Sequence, residues 1–476
     1  MVKYIRYTLL LTALVSVSVG LYAQNTKGTE YIEQIDSVKM RITLSALASD
    51  AFEGRGTGNR GGEIAQEYIV AYLDSCGIEA GNNGSYYQGI NYFKGFNGAR
   101  RRFTVNGFDY PDDYKYANRY RQDSVLKITE IIFVAAGRDI DSLKLDGFEN
   151  KTVMKLDDNS SAYIDRRNPK TVISIISKFK PASPEISEKV YFIPPDREYK
   201  YEEVNISVNL ADKLLASSGK SLKEIAGEVE KSGKSQIFTL KTSAEIHGNV
   251  IFRETKVSNI LGIISGSELK NEYIVLSAHH DHVGIINGEI YNGADDNASG
   301  VSSVLEVARL MAKAKKEGRG PRRSVLVLFP AAEEKGLVGS NWYVNNPAFP
   351  LTDTKACINV DMIGRIDVKY KSTNGDYIYI VNDKKSNGDL LEIAEKSNDD
   401  NIVINTEDLN SLFNRSDHYN FARHNIPAVL LTSGLHNDYH TPRDRVELID
   451  FGAVWKRSRF VFALMWKLAN EEDLRF

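Results

Sequence analysis

Five side chains with the chemistry of metal ligands, His279, Asp295, Glu334, Asp361 and His440, fall in order through short polar segments late in the chain, with Glu333 beside Glu334. Imidazoles and carboxylates suit borderline cations such as zinc, and a carboxylate that is not a ligand is free to move a proton. That set matches the needs of a hydrolytic centre holding paired cations. A structural or purely binding site would not need the sixth residue.

The segment Ala278-His279-His280-Asp281-His282 offers three imidazoles after an apolar run. In an extended continuation, residues two apart point the same way, so Asp281 can lie beside His279 and accept a hydrogen bond from its non-ligating nitrogen. His280 points the other way; it and His282 read as polar loop residues more readily than as ligands. Gly293-Ala294-Asp295-Asp296-Asn297 precedes a helix, where Asp296 or Asn297 can satisfy the free amides of the first turn. Two cations about 3.5–4 Å apart need a shared carboxylate, and Asp295 is assigned to that bridge. Ala331-Ala332-Glu333-Glu334 leaves a strongly apolar strand, where two carboxylates are costly unless charge awaits them. Successive residues of an extended exit project to different sides, so Glu334 can bind metal while Glu333 addresses water. Asn359-Val360-Asp361 repeats the pattern of strand then acid, and His440 is the preferred ligand of the loop 436–444. Taken singly, such residues are mostly caps and turns. Their concentration is the signal: seven of the eight histidines lie beyond Ala278.

The elements that must carry them alternate in type. Strands are expected at 260–264, 273–278, 324–330, 356–360, 377–381 and 428–432, and helices at 298–314, 336–344, 389–397, 417–424 and 451–469. This alternation predicts an α/β fold with a mostly parallel central sheet and helices on both faces. Ligands in such folds gather at the carboxyl ends of strands, where His279, Glu334 and Asp361 fall. Upstream, helices are expected at 32–47 and 62–76, joined by the glycine-rich stretch 53–61, which reads as a turn-rich connection because it follows a helix and not a strand. Between 107 and 242, short β-like runs (128–136, 171–176, 190–193, 204–208) and a helix near 211–215 read as an inserted β-rich module. The Gly-Lys-Ser triplets at Gly219 and Gly233 lack the upstream glycine of a phosphate loop and read as turns at helix ends.

The chain of 476 residues, 42% hydrophobic and 26% charged, has a globular composition. Residues 1–23 have the layout of a secretory signal cut after Ala23, with an apolar run shorter than the roughly 20 residues of a membrane span. Removing Lys3 and Arg6 takes the net charge from −3 to −5, which gives no general attraction for nucleic acid or anionic lipid. The basic runs 100–102 and 313–323 read as solvated surface. With two cysteines, Cys76 and Cys357, disulfides are not the scaffold; Cys357 reads as a buried thiol, and pairing of the two stays open.

The strings AHHDHVG, GADDNASG, PAAEEKGLVGS, NVDMIG, RSDHYNF and DYHTPRD, in that order, resemble the zinc exopeptidases of family M28, the group of aminopeptidase Y and bacterial leucyl aminopeptidase. The resemblance covers residues from about 257 to the end and, more loosely, the LASDAFEGRGTG string; the insert resembles a divergent protease-associated domain. It implies a zinc exopeptidase-like fold with a signal at 1–23, peptidase sequence at 24–106 and 243–476, and the insert at 107–242. It implies two zinc ions held by His279, Asp295, Glu334, Asp361 and His440, with Asp295 bridging through a cis Asp295–Asp296 peptide. Glu333 would be the general base and Asp281 the residue orienting His279. Arg415, Asp417 and Tyr439 are candidate pocket residues. The expected activity is hydrolysis of N-terminal residues from peptides by a secreted or periplasmic enzyme. A glutaminyl-cyclase-like transferase with one metal and a non-catalytic module on the same scaffold are the alternatives; both would be expected to lack part of this residue set.

Overall fold

The computed structural model describes residues 28–97, 102–116, 124–143, 146–156, 158–180, 202–248, 250–370, 375–382, 388–406 and 410–474. The leader expected over 1–23 and the strand expected at 190–193 lie outside them. The chain divides into two units: one joins the residues up to Ile90 with those from Lys256 onward, and the other is Asn91–Thr255. The insert expected over 107–242 lies inside the second unit.

The first unit is built on a sheet whose main strands are β1 (Val250–Ile264), β2 (Leu269–Ser277), β3 (Arg323–Phe329), β4 (Thr354–Val360), β5 (Tyr377–Asn382), β6 (Val403–Asn405) and β7 (Ala428–Thr432). Their spatial order is β1-β3-β2-β4-β7-β5-β6. The four central strands β3, β2, β4 and β7 run parallel, while β1 and β5 join antiparallel at either side. Every residue of β3 is buried, as an apolar run covered on both faces requires. Its alternate side chains serve two cores: Val325, Val327 and Phe329 pack with Ile274 and Leu276 of β2, whereas Leu326 and Leu328 pack with Val275.

Helices α1 (Ser37–Leu47), α2 (Arg60–Ser75), α3 (Gly300–Lys316) and the last helix, Phe451–Asn470, cover the first face. Val338–Asn345 and His418–Ala422 cover the second through Tyr343 and Phe421. The single helix expected over 32–47 is interrupted. A short turn, Gly28–Ile32, is followed by Asp36, whose carboxylate accepts the Val38 and Lys39 amides at 2.9 and 3.1 Å and so starts α1 afresh. At the start of α3, a Cβ on Gly300 would sit 2.4 Å from the Val360 carbonyl oxygen, so glycine lets the helix close on the exit of β4. Lys313, Lys315 and Lys316 end that helix, where its dipole favours cations. Cys76 and Cys357 are both free thiols. No helix of the described residues is long and apolar enough to cross a membrane.

The second unit carries an eight-stranded sheet centred on Gln236–Gly248, Ser124–Ala135, Thr152–Lys155 and Thr171–Ile176. Helices Val208–Leu215 and Leu222–Ser232 bury Leu214 and Ile225 against Phe133, Ile173 and Ile206. Ser221 and Glu224 cap the second helix reciprocally. Gly219 and Gly233, of the two Gly-Lys-Ser triplets, take left-handed φ values of 72° and 69° at helix ends, as turn residues.

Candidate metal centre

The exits of β2, β3, β4 and β7, together with the loop before α3, converge at the carboxyl edge of the parallel strands. Among the described residues, two groups of potential ligands form there: His282, Asp296, Glu334 and His440, and His279, Asp296 and Asp361. Asp296 belongs to both. Its Oδ1 lies 3.3 Å from His279 Nε2, and its Oδ2 lies 3.0 Å from His440 Nε2 and 3.7 Å from His282 Nδ1. Asp361 Oδ1 lies 3.3 Å from His279 Nε2. Glu334 closes the other group, with Oε1 2.7 Å from His282 Nδ1 and Oε2 2.9 Å from His440 Nε2.

The structure therefore brings together His279, Glu334, Asp361 and His440 as the sequence predicts, and departs from it at two positions. The carboxylate between the groups is Asp296 and not Asp295, and the cis peptide is Asp296–Asn297 and not Asp295–Asp296. Asp295 turns away: Oδ1 accepts the Gly364 amide and the Ser299 hydroxyl, and Oδ2 lies 3.3 Å from His436 Nε2. The backbone of both aspartates is anchored from the opposite side, where the Asp444 carboxylate accepts the amides of Asp295 and Asp296 at 3.0 to 3.1 Å. Two adjacent aspartates on a bent loop carry no sequence signal that separates them. The second departure is His282. The chain after β2 pairs with the glycine-rich loop in a bridge between Gly56 and His282, which swings this imidazole into the site. The density of three histidines within four residues was the available signal for it.

Asp281 is also used differently. Its Oδ1 is 3.9 Å from His279 Nδ1, which instead lies 3.2 Å from the Asp281 main-chain oxygen. The carboxylate accepts the Glu333 amide at 3.0 Å and the Thr57 hydroxyl at 2.6 Å. Asp361 is held from inside the sheet: Ser416 Oγ donates to its Oδ2 at 2.7 Å, Asn359 donates to Ser416, and Ser277 donates to Asn359. Of the three candidate pocket residues, Tyr439 stacks on the His440 ring with centroids 3.8 Å apart. Arg415 Nη2 reaches the Tyr439 hydroxyl at 3.4 Å, and Asp417 is fully buried.

The electrostatics are those of an anionic cradle. Burial disfavours the charged form of His440, yet contacts with Asp296 and Glu334 outweigh it and push the imidazole up to about 10. For Glu334, burial and the nearby Asp296 oppose ionisation, and the histidines His282 and His440 overcome them, holding it at about 2. Glu333 goes the other way. Burial pushes its carboxyl well above the usual range, Glu334, Asp361 and Asp417 add to this, and His279 opposes it. His282 Nε2 is buried without a hydrogen-bond partner, while the close contacts of His282 Nδ1 and His440 Nε2 with Glu334 lie outside hydrogen-bond geometry. Buried polar atoms without hydrogen bonds, beside the edge-on rings of His282 and His440, cost free energy unless something binds between them. A donor set of two nitrogens and two oxygens, next to one nitrogen and two oxygens, fits zinc.

The fold is of the zinc exopeptidase type, an α/β body, and the two ligand groups lie at one edge of its sheet. Residues 259–465 match the profile of peptidase family M28. Leucine aminopeptidase 1 of Ajellomyces capsulatus (strain H88) is 26% identical over 220 residues, covering 44% of this chain and 56% of the relative. The chain thus spans about half the length of the curated relatives it matches. Among solved structures, an aminopeptidase from Aneurinibacillus sp. strain AM-1 superposes with a TM-score of 0.53 at 16% identity, covering 94% of this chain and 97% of the other. A peptidase M28 precursor from Shewanella amazonensis SB2B gives 0.50 at 16% identity, covering 95% and 98%. These structural likenesses establish the shared fold.

Proposed function

We propose that this chain is a secreted or periplasmic zinc aminopeptidase that removes N-terminal residues from peptides. The observation that carries the reading is the division of the Asp296 carboxylate between two ligand groups, with Glu333 adjacent and in neither. Zinc bound in both groups would polarise the scissile carbonyl and acidify a water molecule. His282, Asp296, Glu334 and His440 would hold one ion, and His279, Asp296 and Asp361 the other. Glu333, with its raised affinity for a proton, takes one from the attacking water and returns it to the leaving amine. Asp281 fixes the Glu333 main chain by accepting its amide, so the base cannot drift from the reacting atoms. His440, 36% exposed and layered under Tyr439, marks the open side through which the peptide enters. Relatives named leucine aminopeptidase support an uncharged N-terminal side chain as first substrate. Secretion is supported by the three-part layout of residues 1–23, and a mature chain beginning at Gln24 is its test.

The deciding experiment loads metal-free protein with zinc and follows hydrolysis of leucine p-nitroanilide. Activity that saturates at two equivalents supports the proposal. Saturation at one equivalent, with cyclisation of N-terminal glutamine and no anilide hydrolysis, favours the glutaminyl-cyclase-like alternative. The presence of Glu333 and of both complete groups speaks against that alternative and against a non-catalytic module.

A further inference from the structure

The glycine-rich loop 53–61, which the sequence presents as a simple connection, threads into the body behind the ligand groups. Gly54 has φ +63°, and a Cβ there would sit 2.3 Å from the Tyr291 carbonyl oxygen and 2.6 Å from that of Gly284. That close passage places Arg55 at 1% exposure inside the protein. Its guanidinium donates to five main-chain carbonyls: Nε to His280 at 3.1 Å, Nη1 to Leu47 and Asn292 at 2.8 and 2.7 Å, and Nη2 to Gly293 and Asp296 at 2.8 and 3.2 Å. All five N–H groups of an arginine are thereby used, which no other side chain could reproduce. The Arg55 carbonyl in turn accepts the His282 amide at 3.1 Å. One residue thus grips both loops that deliver ligands to the four-residue group, through its main chain at His282 and its side chain at Asp296.

We infer that Arg55 is a positioning residue for the metal centre, holding the 279–282 and 292–296 loops at the spacing that the cation between His282, Asp296, Glu334 and His440 requires. The guanidinium is a cation at neutral pH, and the carboxylates of Asp296, Asp444, Asp281 and Glu334 surround it. A fixed positive charge behind the carboxylates also offsets their mutual repulsion while metal is absent. Outer residues of this kind set ligand geometry, and their loss typically costs about 10–100-fold in metal affinity or activity.

The inference rests on reading the two groups as zinc sites, and the test separates the two ideas. Zinc titration by calorimetry on the full wild-type chain comes first; absence of zinc binding overturns the functional reading itself. Given binding, Arg55→Lys keeps the charge but can satisfy at most three of the five carbonyls. The metal-free Arg55→Lys protein should fold, with zinc affinity at the His282, Asp296, Glu334 and His440 group reduced about 10–100-fold. A variant whose metal-free form melts earlier yet binds two zinc ions with wild-type affinity would assign Arg55 a structural role only and overturn the inference. Should the variant not fold, hydrogen exchange of the wild-type chain decides. Zinc should slow amide exchange in residues 53–57 together with 279–282 and 292–297, and an unresponsive 53–57 segment overturns it.

Discussion

Asp295 and Asp296 are neighbours in the chain but answer to different partners: Asp296 divides its oxygens between His279 and His440, and Asp295 Oδ2 faces His436 at 3.3 Å. Substitution should separate them. Asp296→Asn removes the shared carboxylate and is expected to abolish zinc binding at both groups. Asp295→Asn should keep two zinc ions and lose only about 10–100-fold in activity, through its hold on Gly364 and His436. Zinc content of the two purified variants, measured by atomic absorption, checks this; equal losses would show that the bridge is wrongly placed.

Glu333→Gln keeps the shape of the side chain and removes its basicity. The variant should retain two zinc ions while kcat on an aminoacyl anilide falls by about 10²–10⁴-fold. Undiminished turnover would mean that another group takes the proton.

His282 supplies one of the four ligand positions in its group. His282→Asn is expected to weaken zinc at that group and to leave the His279, Asp296 and Asp361 group filled, so a calorimetric titration should resolve one tight and one weakened site. Two unchanged sites would show that this imidazole does not bind metal.

His418 is fully buried against the edge of Phe413, and neither ring nitrogen has a hydrogen-bond partner. Burial lowers its pKa from 6.5 to about 3. Between those values the unfolded chain binds a proton that the folded chain refuses, so stability falls as pH drops from 6.5 toward 3, by up to about 1.4 kcal/mol per pH unit. Urea unfolding of metal-free protein at pH 7 and 4.5, beside His418→Phe, measures it. The variant should lose less stability on acidification; identical slopes would remove His418 as the cause.

The parts of this molecule that were legible in advance are those governed by local pattern. The apolar runs of β3, β4 and β7 and the helical spacing of α3 predict their elements to within a few residues, and the strand-exit rule places His279, Glu334 and Asp361 on one edge. What escaped depends on chain direction over one or two residues. Asp296 takes the place assigned to Asp295 because the loop after Gly293, with its left-handed φ of 58°, reorients the next side chains. His282 enters the site because Arg55 and Gly56 pair with it from more than 220 positions away. No periodicity records such a contact, and composition cannot show that a glycine-rich loop hides a saturated guanidinium.

His279 and His440 stand 161 positions apart in the chain, yet both contact one carboxylate. During synthesis the His279, Asp296 and Asp361 group is complete once Asp361 has been made, whereas the group of His282, Asp296 and Glu334 must wait for His440. Loop closure over such separations is slow. If hydrolysis needs both groups, as proposed, it begins only after His440 has folded into place, and the unfinished polypeptide is spared that chemistry.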